Sequence, residues 1–204
     1  MDSKTETETT EEVLPMATTE ASETPKAGKG PVLFGAGTFN YGVTLDAEGK
    51  LTGEGTIFGA TKGGGKVSIK PNLVALEFDG RNVKAVGDYV KAGEEATMEA
   101  PFTELKAADI AKYTIGTAAD KADCVVVESS ELVTAGHYIK GLAYIGRDAK
   151  GEKLVVIFDN ALCTSGLEIE GKNAEQGAPT ITFECLADED AAEDKLPWHI
   201  IWPE

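Results

Sequence analysis

Alternation of apolar and polar residues dominates the chain from Pro31 onward and predicts many short β-strands. In F-N-Y-G-V-T-L (Phe39 to Leu45) every second residue is apolar, and the turn D-A-E-G follows. Further strand patterns are L-V-A-L-E-F-D-G, C-V-V-V-E, H-Y-I-K-G-L-A-Y-I, K-L-V-V-I-F, P-T-I-T-F-E-C-L and W-H-I-I-W. Together they predict a mainly β protein, an antiparallel β-sandwich or barrel.

One segment, residues 103–115, follows a helical period instead. Its sequence T-E-L-K-A-A-D-I-A-K-Y-T-I places Leu105, Ala108, Ala111 and Ile115 on one stripe. Thr103 has the side chain of an N-cap, and Gly116 is a typical stop residue. The sequence therefore predicts a single α-helix near residues 103–115 that flanks the β structure.

A glycine-rich segment lies between two strand patterns. T-I-F precedes it and K-V-S-I-K follows it, and six glycines occur from Gly53 to Gly65. This pattern predicts an extended hairpin with a mobile tip near residues 53–66. The residues of this predicted tip are Gly59, Lys62, Gly63, Gly64, Gly65 and Lys66.

The same segment raises the alternative of a phosphate-binding loop. It does not fit G-x-x-x-x-G-K-[ST] in any register, because Gly65 or Val67 stands where the motif needs lysine or a hydroxyl residue. A strand pattern follows it, whereas phosphate binding needs a helix N-terminus. A nucleotide-binding protein using Gly59–Lys66 is therefore the weaker alternative.

The first thirty residues have a different composition. Met1–Gly30 contains seven Thr, six Glu and no aromatic residue, which predicts a disordered or conditionally ordered N-terminal arm. V-L-P-M (Val13 to Met16) is its one apolar anchor. The predicted β domain then spans residues 31–204.

Charge narrows the function classes. The chain has 35 acidic and 19 basic residues, a formal net charge of −16. Such a surplus disfavours binding to nucleic-acid phosphates and to anionic membranes. Three widely spaced cysteines indicate free thiols, and the N-terminus lacks the pattern of a secretory signal, so we expect synthesis in a cytoplasm.

Chemistry-bearing constellations are missing from the sequence. His137 and His199 have no second histidine at ligand spacing, and both are expected to pack as structural side chains. Neither a nucleophile elbow nor a dinucleotide fingerprint is complete. We therefore expect no enzyme activity, no catalytic residue, no metal and no cofactor.

The order of three motifs resembles the major tail (tail tube) proteins of long-tailed bacteriophages. The motifs are F-G-A-T-K-G-G-G-K-V, then L-E-F-D-G-R-N-V-K-A-V-G, then A-T-M-E-A-P-F-T-E-L with its helix. The closing A-P-T-I-T-F-E-C-L-A-D-E-D and P-W-H-I-I are also similar to that family. The third glycine, Lys66 and Phe78 depart from the family's usual residues.

The resemblance implies a virion protein that is made and assembled in the host bacterial cytoplasm. It implies a β-sandwich subunit forming stacked hexameric rings around a tape-measure protein, capped by tail terminator and distal tail proteins. Viral DNA would later pass through the tube without specific binding, and an acidic surface suits such a channel because it repels phosphate. The resemblance also implies that contacts between rings come from the long hairpin and the terminal arms. The six tip residues Gly59, Lys62, Gly63, Gly64, Gly65 and Lys66 are then the candidates for contact with a neighbouring subunit, with the lysines facing acidic groups. The alternative within the same class is another virion structural or decoration protein.

Overall fold

The computed structural model describes residues 35–80, 82–171, 173–191 and 195–203. These residues belong to the predicted β domain, whereas the predicted N-terminal arm (residues 1–30) lies outside the described residues. Strands account for most of the regular structure. They are β1 (Thr38–Tyr41), β2 (Thr44–Leu45), β3 (Leu51–Gly53), β4 (Thr56–Ile57), β5 (Lys66–Ala75), β6 (Tyr89–Pro101), β7 (Gly116–Asp120), β8 (Val125–Ser129), β9 (Ile139–Arg147), β10 (Lys153–Cys163), β11 (Thr180–Cys185) and β12 (Trp198–Ile201), with one helix, α1 (Ala107–Thr114).

Most strands belong to one antiparallel sheet, ordered β4-β1-β9-β10-β11-β6-β5. The long strand β10 shares one of its edges between two partners. Val155 to Phe158 pair with β12, and Ala161 to Cys163 pair with β11. The predicted mainly β, antiparallel class with one helix is confirmed, and the arrangement is consistent with a β-sandwich.

The two outermost strands of this order, β4 and β5, are consecutive in the chain. The crossing segment, Phe58–Gly65, joins them over the aromatic core. At its start the Phe58 N–H donates to the Phe39 carbonyl of β1. Further on, the Lys62 N–H donates to the Pro101 carbonyl at the end of β6. The crossing segment therefore links the two ends of the sheet.

The larger core cluster is aromatic at its centre. Phe58 stacks on Phe183 with ring centroids 5.7 Å apart, and Phe102 stacks on Tyr113 at 6.1 Å. Phe39, fully buried, meets Phe102 edge to face at 6.1 Å. Since strands from both ends of the sheet order contribute to this one cluster, burying these rings holds the curled sheet together.

A smaller cluster lies on the other face of β9 and β10. Val155 and Ile157 point to this side, whereas Leu154 and Val156 belong to the aromatic cluster. The separate β2–β3 pair covers the smaller cluster through Leu45 and Leu51. Because side chains alternate along a strand, β9 and β10 are buried on both faces, which explains the continuous apolar run in β10.

The predicted helix is confirmed but is shorter than 103–115. Thr103 does not cap it, because its hydroxyl donates to the Ala60 carbonyl, and Lys106 occupies the N-cap position. Ile115, in the left-handed conformation (φ 51°), ends the helix instead of Gly116. Its buried residues are Asp109 and Tyr113, so the inward face is turned away from the predicted Ala108 stripe.

The predicted hairpin at residues 53–66 is wrong. Its first strand, β4, pairs with β1, and its second, β5, pairs with β6. The glycines lie in a crossing between two ends of a sheet and not at a hairpin tip. The strand predicted from Phe39 to Leu45 is divided into β1 and β2. Tyr41 at the end of β1 packs on the aromatic cluster, whereas Val43 packs on the smaller cluster.

Candidate functional site

The six predicted contact residues all lie in or beside the crossing segment, but several serve packing. Gly59 is buried, and a Cβ there would collide with the Glu104 carbonyl oxygen. At Gly65 a Cβ would collide with the ring of Phe39. These two glycines are therefore required because the backbone passes too close to its neighbours for a side chain.

Gly63 and Gly64 have another role. Their φ angles are +83° and +81°, in the left-handed region that favours glycine, and a Cβ at Gly63 would meet no atom within 4 Å. They turn the backbone between the Thr61–Phe102 bridge and the start of β5. Local turn geometry thus accounts for both residues.

The lysines of the segment face acidic groups of the same chain. The Lys66 ammonium lies 2.7 Å from a carboxylate oxygen of Glu99. Lys62 lines an open groove of about 640 Å³ together with Glu168, Glu170 and Glu175. The groove is acidic on balance, and contact of this segment with another subunit stays a prediction.

The phosphate-loop alternative finds no support in this geometry. The residues after Gly65 form the ten-residue strand β5, so a helix N-terminus does not follow the glycines. Lys66, the residue that would meet a phosphate, is paired with Glu99.

The prominent exposed feature is the hairpin of β5 and β6, which the sequence interpretation missed. Its base packs on the aromatic cluster through Val67 and Ile69 of β5 and the alternate residues of β6, Ala96, Met98 and Ala100. Beyond Pro71 the two strands continue, but their side chains no longer pack on the aromatic cluster. Residues 73–90 hold eight of the fifteen exposed large apolar side chains among the described residues. They are Leu73, Val74, Leu76, Phe78, Val83, Val86, Tyr89 and Val90.

We call Leu73–Lys91 the arm. Among its described residues, which leave out Arg81, the Leu76 N–H donates to the Asp88 carbonyl at 2.7 Å and the Ala85 N–H donates to the Asp88 carboxylate at 2.5 Å. The Lys84 ammonium lies 5.1 Å from the centre of the Tyr89 ring. These contacts join the two sides of the arm and leave its apolar side chains exposed.

A β-bulge separates the arm from the base of the hairpin. Pro71 pairs with Glu94 and Leu73 with Lys91, so two residues of β6 oppose one residue of β5. One of the two is Gly93, with φ +122°, a conformation that a side chain would strain. Bulges bend the strand that carries them, so this one sets the direction in which the arm leaves the core.

The outer edge of β5 is open, since β5 pairs only with β6 among the described residues. It carries Lys66, Lys70 and Pro71, residues that typically protect an edge from indiscriminate pairing. Such an edge can accept one specific strand from a partner.

The sheet face opposite the aromatic core is polar on β6 and β11. Glu95, Thr97 and Glu99 alternate with the buried residues of β6, and Thr182 and Glu184 stand beside them on β11. Charges here follow the two-residue period of the strands. The face therefore presents carboxylates and hydroxyls from a rigid sheet.

The two histidines differ. His137 is buried, where its Nδ1 accepts the Thr134 N–H at 2.8 Å and its Nε2 lies 3.0 Å from the Gly116 carbonyl. This confirms the packed structural role that was predicted for His137. The same prediction was wrong for His199, which is half exposed with Nε2 3.2 Å from an Asp159 oxygen.

Residues that could bind a metal do not cluster in the part of the chain that the structure describes: groups of three or more His, Cys, Asp or Glu side chains in suitable proximity are absent there. In that same part, α1 is far too short to cross a membrane, and no helix combines the required length and apolarity. All three cysteines are free thiols, as the sequence predicts.

Comparison with known proteins adds no relative: no protein-family model and no curated protein matches the chain.

Proposed function

We propose that the chain is the tube subunit of a long-tailed phage tail, which self-assembles into stacked hexameric rings around a DNA-conducting channel. The observation that carries the proposal is the arm. The arm gathers eight exposed large apolar side chains in one segment, and such a concentration of exposed apolar residues marks an interaction site. The ordered set of sequence motifs points to the same class of protein.

Net charge supports an assembling role for the arm in particular. A hexamer of this chain would carry 6 × −16 = −96 formal charges, so acidic surfaces repel one another during assembly. The arm contains three acidic and three basic residues, a net charge of zero. It is therefore a surface by which one acidic copy approaches another without that repulsion.

The open edge of β5 supplies the second element of the proposal. A strand of a neighbouring copy added at this edge would extend the sheet from one subunit into the next. Contacts that use different surfaces on the two copies produce closed rings when the rotation between subunits closes. A ring thus needs only the β5 edge and a matching strand on the neighbour.

The polar face of β6 and β11 is the surface that we assign to the channel. Glu95 and Glu184 lie on this face, where the neighbouring Glu99 is paired with Lys66. Carboxylates on the face would repel DNA phosphates, so that the genome slides without specific binding. During assembly the channel would hold the tape-measure protein. Tail terminator and distal tail proteins would contact the end rings, in a virion assembled in the bacterial cytoplasm.

Microscopy of the purified full-length chain tests the proposal. At high protein concentration and about 1 M salt, where the Debye length is about 3 Å, we expect rings or hollow tubes by negative staining. Lowering the salt should slow their formation, because repulsion between acidic copies returns. A chain that stays monomeric at all concentrations and salts contradicts the proposal.

A matched pair of variants ties assembly to the arm. Val83 in the arm is 75% exposed and Leu132 outside it is 72% exposed. We expect Val83→Glu to prevent tubes and Leu132→Glu to leave them intact, with unchanged circular dichroism in both. Equal behaviour of the two variants would show that the arm has no special part in assembly.

A further inference from the structure

A buried carboxylate lies at the bulge of the β5–β6 hairpin. Because side chains alternate along a strand, Glu94 falls in the inward-facing row of β6 together with Ala96, Met98 and Ala100. Its side chain is only 5% exposed. A carboxylate buried to this degree is stable where hydrogen bonds or an opposite charge compensate for the lost water. The partners of its two oxygens therefore show which elements it holds together.

The two oxygens bind two different elements. Oε2 lies 2.7 Å from the ammonium of Lys91, which is the last residue of the arm. Oε1 accepts the Leu196 N–H, also at 2.7 Å, and Leu196 leads into β12. One carboxylate thus connects the arm to a residue that follows Glu94 by 102 positions in the chain.

We call residues 196–201 the C-terminal segment. Within it Trp198 packs on the aromatic cluster and Ile201 on the smaller cluster. The Pro197 carbonyl accepts the Asp159 N–H at 3.0 Å. Its strand, β12, has four residues and pairs with β10 alone among the described residues. A short strand of this kind can open locally while the rest of a sheet stays folded, so its remaining anchors decide how firmly it is held.

The Glu94 side chain takes the place of a strand pairing. β11 joins β10 to β6, and β12 follows β11 along the same edge of β10. Between β12 and β6 the described residues form no ladder. The Glu94 carboxylate reaches across and bonds to the backbone of Leu196 directly. The anchor on β6 is therefore a side chain, which can change its rotamer, where a ladder could not.

We infer that Glu94 couples the arm to the C-terminal segment, so that loosening either one loosens the other. The bulge gives the arm freedom to move, because the register shifts there and Gly93, next to Glu94, has a φ of +122°. The coupling is a property of a single chain, so it does not depend on the proposed tube function.

The charge of Lys91 transmits the coupling. When the arm swings at the bulge, the Lys91 ammonium moves away and leaves the Glu94 carboxylate buried without its counter-charge. That state is unfavourable, because a buried charge that loses its partner retains its desolvation cost. Glu94 then turns toward water and releases the Leu196 N–H. In the opposite direction, a released C-terminal segment leaves Glu94 and Lys91 to move together. Energetic coupling between two sites is reciprocal in this way.

A matched pair of variants perturbs the arm side of this link. Lys91→Met removes the counter-charge and leaves the C-terminal segment unchanged. Lys66→Met is the control, because Lys66 and Glu99 form an ion pair of the same length, 2.7 Å, in the same hairpin, but the Glu99 side chain is 35% exposed. Lys91→Arg keeps the ion pair and should behave as the wild type.

Hydrogen exchange followed by mass spectrometry gives the opening of each segment in the full-length chain at low concentration and neutral pH. We expect Lys91→Met to speed exchange in the C-terminal segment by about tenfold or more relative to β9, since a hydrogen bond to a buried charge is lost. Lys66→Met should change it by less than about twofold, as for other exposed pairs. Both tryptophans of the chain, Trp198 and Trp202, lie in or beside this segment, so acrylamide quenching should rise in Lys91→Met alone.

The reciprocal experiment perturbs the C-terminal segment and observes the arm. Ile201→Thr weakens the packing of β12 on the smaller cluster, far from Glu94 in the strand. We expect the Leu76 amide of the arm to exchange about fivefold faster or more, and this response should vanish in a Glu94→Ala background. An unchanged C-terminal segment in Lys91→Met, equal acceleration of β9, or an arm response that survives Glu94→Ala would each overturn the coupling.

Discussion

Substituting Gly65 by alanine tests whether the glycine-rich segment is a closely packed crossing or a loose tip. A Cβ at this position would lie 2.2 Å from Cζ of Phe39 and 3.0 Å from the Glu99 carbonyl oxygen. Normal carbon–carbon contacts are roughly 3.5–4.0 Å, so the ring would have to move by more than about 1 Å.

The Phe39 ring has little room for such a movement. It is fully buried, and Phe102 and Tyr144 lie against it with centroid distances of 6.1 and 5.3 Å. Overpacking of this kind costs about 1–3 kcal/mol. The smaller unfolded-state entropy of alanine offsets about 0.4–1 kcal/mol of that cost. We therefore expect Gly65→Ala to lower the free energy of unfolding by about 1–2 kcal/mol.

Gly171 provides the matched control. It is exposed, its φ lies outside the left-handed region, and a Cβ there would meet no atom within 4 Å. We expect Gly171→Ala to change the free energy of unfolding by less than about 0.5 kcal/mol. Urea unfolding at low protein concentration, followed by tryptophan fluorescence, gives both values from the midpoints, provided that the slope m is unchanged.

A double-mutant cycle tests whether the collision with the Phe39 ring causes the loss of stability in Gly65→Ala. Phe39→Leu removes the atoms that the new methyl group would meet, so the loss in the Gly65→Ala and Phe39→Leu double variant should be smaller than the sum of the single losses. We expect the difference to be about 0.5 kcal/mol or more. Strict additivity, or a Gly65→Ala variant as stable as Gly171→Ala, would refute the packed crossing.

Two further predictions concern titratable groups. Burial raises the pKa of Cys185 to about 12 and raises that of Cys163. Since Cys124 is exposed, a thiol reagent at pH 8 should modify one thiol rapidly in the native protein and three in urea. Hydrogen bonds from Lys91 and a backbone N–H hold the pKa of Glu94 below its usual value. The stability that the Glu94 carboxylate contributes is fully present above the usual glutamate pKa. It is lost as the pH falls through the lowered pKa of Glu94 in the folded protein. Glu94→Gln should therefore destabilise the protein at pH 7 and flatten this acid-side loss in urea midpoints measured from pH 7 to 3.

The strands themselves could be predicted because the patterns that indicate them lie within a few neighbouring residues. β9 and β10 combine apolar runs with the turn R-D-A-K-G-E between them, and the structure pairs them in the register that a short turn allows. The helix was predicted from its period for the same reason. Its cap was not, because the hydroxyl of Thr103 bonds to Ala60, 43 residues away in the chain.

The sequence did not predict which strands pair on either side of the glycine-rich segment. Two strand patterns separated by a glycine-rich stretch favour a hairpin, since short loops cost the least entropy to close. Here β4 pairs with β1 and β5 pairs with β6 instead of with each other, and this pairing buries Phe39, Phe58 and Phe102 in one cluster. A local pattern contains no information about that competition, so the hairpin was placed one strand too early.

The sequence did not predict the arm, because its exposed strand residues are of the same types as the buried strand residues of the core. Val74 and Val90 are valines like those of the core, and only the position of the bulge decides that they lie beyond it. One signal was present in the sequence. Residues 73–91 contain three acidic and three basic residues in a strongly acidic chain, and Leu73–Leu76 are four successive apolar residues where a half-buried strand would alternate.

Under the proposed self-assembly, folding and assembly depend on different parts of one hairpin. The base of β5 and β6 contributes Met98 and its neighbours to the aromatic core, so its sequence is constrained by the stability of the protomer. The arm beyond Gly93 contributes little to that core, so its apolar side chains are not explained by folding. Apolar residues that a protomer does not need for its own stability, in a segment relieved of the chain's charge, are best explained by an interface with other subunits.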